Sequence, residues 1–188
     1  METQTALTPQ QAAQALKDAG ATEKRSAEVY RYQRAAPYLL LWGIIWIVGY
    51  GGSDLLPRFA GRLWFGLLMI AMGASMAIGR RASAAQPGPR ANWRYSIAFT
   101  AIWCFFGATY SVMGPINHLQ QGAFPPLVVA LAYVLTGLWS GLRFVVAGMA
   151  VAALTLGGFF YLPQHFLLWE GLIGGGALIL AGIWFRRV

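Results

Sequence analysis

Charge is scarce in this sequence. Only 11% of its 188 residues are Asp, Glu, Lys or Arg, whereas a soluble domain carries roughly a quarter. A water-soluble fold is therefore excluded as the main interpretation, because 57% of the residues are hydrophobic and long apolar runs recur along the chain. We predict an integral protein of a bacterial cytoplasmic (inner) membrane, with the lipid bilayer as its main partner.

Cysteine and histidine are almost absent as well. One cysteine, Cys104, permits no intramolecular disulfide, and the two histidines do not stand at the spacing of metal or haem ligands on a helix. The chain also has no Gly-rich phosphate loop, no His-Glu-x-x-His, no Cys-x-x-Cys and no Gly-x-Ser-x-Gly. We therefore predict a non-enzymatic protein without a metal or a cofactor.

Six apolar runs are present, each close to the roughly 20 residues that a membrane-spanning helix needs. The predicted fold is all-α: a polytopic integral membrane bundle of six transmembrane helices, arranged as three hairpins behind a short N-terminal cytoplasmic helical arm at residues 1–36. Short breaks rich in Gly, Pro or charged residues separate the runs. The predicted spans of the transmembrane domain, residues 37–188, are 38–56, 61–79, 95–113, 124–142, 144–162 and 166–185.

The arm has the sequence features of a helix. Thr8-Pro9-Gln10-Gln11 combines an N-cap residue, a proline suited to the first helical position and a glutamine that completes a capping box. Gly20 is the predicted end of this helix. A second helix is predicted to run from Thr22 toward Pro37.

Basic residues are divided unequally between the predicted loops. Of the 14 Lys and Arg residues, only Arg58 and Arg62 fall outside the arm, the second and fourth loops and the tail. By the positive-inside rule, both termini are predicted to be cytoplasmic. The net charge of +8 is thus a topology signal, and nucleic acid is not predicted as a partner.

Glycines four residues apart indicate two packing faces. Gly137 and Gly141 end the fourth span, and Gly171 and Gly175 lie in the sixth. Each pair leaves a groove that lets another helix approach closely. The groove serves packing within the bundle, or alternatively a homodimer through an exposed glycine face.

A small set of ionisable residues is predicted at the outer face. Glu170 is the most informative, because a carboxylate one turn inside a span is costly unless it is paired, near the interface or beside a wet cavity. It is either a proton or cation site, or a packing residue that reaches the headgroups or pairs with a neighbouring arginine. The predicted ligand or ion residues are Glu170, Asp54, His118, His165, Arg58 and Arg62.

The predicted function is that of an accessory or regulatory protein. It would bind a membrane or cytoplasmic protein partner through its arm and a transmembrane helix face. The alternative is a small ion- or solute-transporting membrane protein that uses Glu170. Four basic residues of the arm are predicted to contact the partner or anionic headgroups: Lys24, Arg25, Arg31 and Arg34.

Overall fold

The computed structural model describes residues 8–84, 93–114 and 117–187, and these residues are helical apart from short turns, with no strand among them. The α-helices are α1 (Pro9–Leu55), α2 (Ala60–Ala84), α3 (Trp93–Met113), α4 (His118–Ser140), α5 (Leu142–Tyr161), α6 (Phe166–Trp169) and α7 (Gly175–Arg186). A π-helical turn, Glu170–Gly174, joins α6 to α7, so that these elements form one continuous helix, called here the last helix. Three-residue 3-10 turns, Pro57–Phe59 and Pro163–His165, precede α2 and the last helix.

Five helices in the described part are long and apolar enough to cross a membrane: α1, α2, α4, α5 and the last helix. The prediction of an all-helical protein with several such helices is confirmed, as expected of an integral membrane protein. The predicted span 95–113 lies within α3, in which Cys104–Met113 forms a shorter apolar helix. The predicted count of six spans in three hairpins is therefore not established.

α1 is a single helix of 47 residues. At about 1.5 Å per residue it is about 70 Å long, more than twice the thickness of the bilayer hydrocarbon. Thr8 caps it as predicted, since the Thr8 hydroxyl accepts a hydrogen bond from the Gln11 amide at 3.3 Å and the Gln11 side-chain oxygen accepts one from the Thr8 amide at 3.0 Å. The length means that a large part of α1 lies outside the hydrocarbon.

The predicted helix end at Gly20 is wrong, and α1 also continues without a break across the predicted domain boundary at residue 36. A glycine inside a helix costs only about 1 kcal/mol. Pro37 removes one backbone hydrogen bond, but its neighbours Ala36 and Leu39 are buried in the bundle. Packing of these turns offsets the defect at Pro37.

α4 begins earlier than the predicted span 124–142. The Asn117 side chain accepts from the Gln120 amide at 2.8 Å and the Gln120 side chain accepts from the Asn117 amide at 3.2 Å, which forms a capping box. The helix then continues through Pro125 and Pro126. The cap starts the helix before the prolines, and their missing amides do not end it.

Close glycine contacts hold the bundle together. A Cβ added to Gly175 would lie 2.8 Å from the carbonyl oxygen of Gly43, so α1 and the last helix touch backbone to backbone. A Cβ on Gly137 would lie 2.6 Å from the Val145 amide nitrogen, which brings α4 equally close to α5. These glycine faces are occupied within the chain.

Contacts between the helices define two ends of the bundle. At one end, the Tyr32 ring packs against Phe144 of α5 and Phe185 of α7. This is the arm end, because α1 leaves the bundle there. At the far end, the Tyr50 hydroxyl of α1 donates a 2.8 Å hydrogen bond to the Gly122 carbonyl of α4.

Candidate functional site

Glu170 is fully buried in the last helix, in the interior of the far end. Its Oε1 accepts a 3.0 Å hydrogen bond from the hydroxyl of Thr155 on α5. Its Oε2 is buried without a hydrogen-bond partner in the described part of the chain. A buried carboxyl with one unsatisfied oxygen is unusual, since most buried polar atoms are hydrogen-bonded.

Aromatic side chains of α1 cover the other side of Glu170. Tyr50 lies close enough to interact electrostatically with the carboxyl, while its own hydroxyl is engaged with Gly122. The Trp46 ring meets the Tyr50 ring edge-on, with centroids 5.8 Å apart. The carboxyl is therefore enclosed by α1, α5 and its own helix.

The π-helical turn contains two glycines that determine the space around this carboxyl. A Cβ added to Gly174 would lie 2.6 Å from Oε1 of Glu170, so the side chain folds over a residue that has no side chain of its own. At Gly171, an added Cβ would lie 3.1 Å from the Gly51 amide nitrogen of α1. One glycine makes room for the carboxyl and the other allows the close approach of α1.

The other predicted ligand residues are not gathered around Glu170. Among the described residues, neither oxygen of Glu170 is bonded to Arg58 or Arg62, the pairing that was one alternative from the sequence. Within the described ranges, no three His, Cys, Asp or Glu side chains form a group that could hold a metal. The exposed residues of the set are Arg58, Arg62, His118 and His165, and Asp54 is half-buried.

A second polar cluster lies at the arm end. The Tyr32 hydroxyl donates a 2.6 Å hydrogen bond to Glu28 and accepts one from the Arg143 amide at 3.3 Å. Gly141, between α4 and α5, has a φ of +125°, and a Cβ there would overlap the Tyr32 hydroxyl and the Glu28 carboxylate. Only a glycine lets the α4–α5 turn pass so close to α1.

Two arginines complete this junction by capping other helices. Arg31 donates a 2.7 Å hydrogen bond to the Trp139 carbonyl in the last turn of α4. Arg143 donates at 3.1 Å to the Trp184 carbonyl in the last turn of α7, and its guanidinium lies 4.7 Å from the Trp184 ring centroid. A cation there satisfies free carbonyls and complements the helix dipole. We call Glu28, Arg31, Tyr32, Gly141 and Arg143 the arm junction.

The predicted partner or headgroup contacts are thus divided. Arg31 belongs to the arm junction, and Arg34 donates at 3.0 Å to the Tyr30 hydroxyl one turn away. Arg25 is exposed, and the Lys24 side chain lies outside the described residues. Of the described members, Arg25 and Arg34 are therefore exposed on the arm, and the hydrogen bond of Arg34 stays within α1.

Sequence reasoning missed the partner of Glu170 and the arm junction. Thr155 is eight residues before Pro163 and Glu170 is seven after it. Because the two helices on either side of Pro163 are antiparallel, these nearly equal separations place the two residues at the same depth, and this spacing could have indicated Thr155 as the partner of Glu170. The arm junction joins segments more than 100 residues apart, and no local pattern indicates it. Comparison of the chain with protein-family models, with curated proteins and with solved structures finds no match.

Proposed function

We propose that this chain is a non-enzymatic accessory membrane protein that holds a protein partner at its helical arm. The observation that carries this proposal is the continuity of α1 from Pro9 to Leu55. Between residues 9 and 26, nearly all described side chains are exposed. We call this segment the free arm. It extends a bundle helix directly and is not a separate, tethered domain.

The arm junction supports a rigid arm. Tyr32 is only 2% exposed and is tied to two other helices, so the base of the arm has one fixed direction. A binding segment that is already ordered avoids the entropy cost of ordering on association. The free arm is thus suited to present a partner at a defined position beside the membrane.

Leu16 supplies the binding chemistry on the free arm. It is 75% exposed, and the positions one turn before and after it, at 12, 13, 19 and 20, hold only alanine or glycine. A large apolar side chain standing among small residues fits an apolar groove on a partner, as in helix-in-groove recognition. The partner we propose is a protein with such a groove, on the cytoplasmic side if the basic residues orient the chain as predicted.

A helix face within the membrane supports the same proposal. Phe65, Met69 and Met76 of α2 lie along one stripe at helical spacing and are 69%, 55% and 62% exposed. Lipid acyl chains cover such a stripe equally well, so it becomes a binding face only when a partner has its own membrane helix. The stripe is therefore a second contact surface for such a partner, and the free arm remains the main binding site.

Leu16→Ala should weaken partner retention about 10-fold or more, since burial of a leucine contributes about 1.5–3 kcal/mol. Alanine keeps the helix intact, so the loss would come from the missing contact. The measurement is the amount of a co-purifying protein recovered with tagged chain from native membranes. The protein should co-purify with wild type, and its recovery should fall with this substitution.

The matched control is Gln14→Ala, which changes an exposed residue on the opposite side of the same helix. It should retain the partner as wild type does. Equal recovery with wild type, with Leu16→Ala and with a chain lacking residues 9–26 would contradict the proposal.

The alternative function, transport of an ion or solute, is favoured by one observation, the buried and half-satisfied carboxyl of Glu170. Charged residues buried in membrane helices often mark ion pathways. Transport predicts proton or solute flux into liposomes that Glu170→Gln abolishes. Flux equal to wild type in that variant would remove transport through this site.

A further inference from the structure

Among the described residues, no positive charge acts on Glu170 to stabilise a carboxylate. α5 contributes the Thr155 hydroxyl, and α1 contributes Tyr50 and Trp46. Among the described residues packed around it, Tyr50 is the only other ionisable group, and its hydroxyl hydrogen-bonds to a carbonyl. Within the part of the chain that the structure describes, a negative charge here would be compensated by a single hydroxyl donor.

Burial therefore favours the neutral carboxyl. An ion that is moved from water into a low-dielectric interior loses hydration, and the loss exceeds what one hydrogen bond returns. Glu170 is 0% exposed, and its Oε2 has no donor in the described part of the chain. The acid form carries no charge and so avoids this cost.

A metal cation fits the site poorly. Hard cations such as Ca²⁺ take six to eight oxygen ligands, whereas among the described residues one side chain, Thr155, is hydrogen-bonded to Glu170. No group of three His, Cys, Asp or Glu side chains lies together in the ranges that the structure describes. The chemistry is that of a proton acceptor and not of a metal cage.

The π-helical turn provides a second geometric reason to single out this residue. Such turns are rare and occur frequently at functional sites, and this one begins at Glu170 itself. The missing side chain at Gly174 leaves the space that Oε1 occupies. The hydrogen-bonding geometry of the helix therefore changes at the residue that carries the buried carboxyl.

We propose that Glu170 is a proton-binding site, whose carboxyl carries a proton while α1, α5 and the last helix remain packed around it. The inference goes beyond the docking function of the arm and does not depend on it. It holds whether or not the proton crosses the membrane.

Infrared spectroscopy of the full chain in liposomes tests the proposal. At neutral pH, wild type should show the carbonyl stretch of a protonated carboxylic acid, and Glu170→Gln should lose it. Asp54→Asn, which removes a half-buried carboxyl elsewhere, should keep it. Wild-type and Glu170→Gln spectra that coincide in this region would overturn the proposal.

Three further measurements keep the test independent of how Glu170→Gln folds. The chain has four glutamates, so NMR of wild type labelled with ¹³C-glutamate should show one carboxyl signal in the acid form at neutral pH; four ionised signals would overturn the proposal. Replacing K⁺ with Na⁺ in the buffer should leave the infrared band unchanged. Loss of the band in Na⁺ would show that the site binds Na⁺ and not a proton, and would overturn the proposal.

Gly174→Ala places a methyl group against Oε1 of Glu170 and should therefore shift the infrared band. A band at the wild-type position would contradict the packing of Glu170 over Gly174.

Discussion

Gly175→Ala should lower the free energy of unfolding by about 3 kcal/mol, because the added methyl group overpacks the contact between α1 and the last helix. Its Cβ would lie 2.8 Å from the Gly43 carbonyl oxygen and 2.8 Å from the Ile47 side chain. The carbonyl belongs to a helix backbone and cannot rotate away, so the two helices must separate. Unfolding by denaturing detergent, followed by tryptophan fluorescence, measures the loss.

The neighbouring glycine provides the control. A Cβ added to Gly176 meets nothing within 4 Å, and alanine is a better helix former than glycine. Gly176→Ala should therefore leave stability unchanged or raise it slightly. Equal unfolding curves for the Gly175 and Gly176 variants would show that α1 and the last helix do not touch as described.

Gly141→Ala should loosen the arm and also destabilise the chain by about 3 kcal/mol, from left-handed backbone strain and overpacking together. The residue has a φ of +125°, and its Cβ would overlap the Tyr32 hydroxyl and the Glu28 carboxylate. Release of the junction would free Arg31 from the Trp139 carbonyl. Limited trypsin digestion should then cut after Arg31 faster than in wild type.

Gly157→Ala is the control for this prediction, since a Cβ at Gly157 meets nothing within 4 Å. Its digestion and stability should match wild type. If Gly141→Ala were cut after Arg31 no faster than Gly157→Ala, the arm junction would not fix the base of the arm.

Local sequence patterns predicted the helices well. Apolar runs of about 20 residues determine where a chain can cross lipid, and the Thr8 capping box marks the start of α1. The patterns failed at Gly20, because a glycine is a weak stop signal when the flanking residues favour a helix. They also placed the start of α4 too late, because the polar residues before position 124 indicated a loop, whereas the Asn117 capping box starts the helix there.

The candidate site was predicted only in part. Glu170 stands out in the sequence because a carboxylate inside an apolar run carries a high cost wherever it lies. Its enclosure by Thr155, Tyr50 and the π-helical turn depends on how three helices pack, and no single run encodes that packing. For the same reason, the sequence did not indicate that Arg31 caps α4.

The rigid arm is tested most directly by a distance along α1. Spin labels at Ala13→Cys and Leu55→Cys, in a background in which Cys104 is replaced by serine, report the length of the helix by pulsed electron paramagnetic resonance. One continuous helix predicts a narrow distribution of label-to-label distances centred at about 60 Å, given a rise of about 1.5 Å per residue. A broad distribution centred at a clearly shorter distance would contradict it, because a bend at Gly20 or Pro37 would then separate the arm from the span.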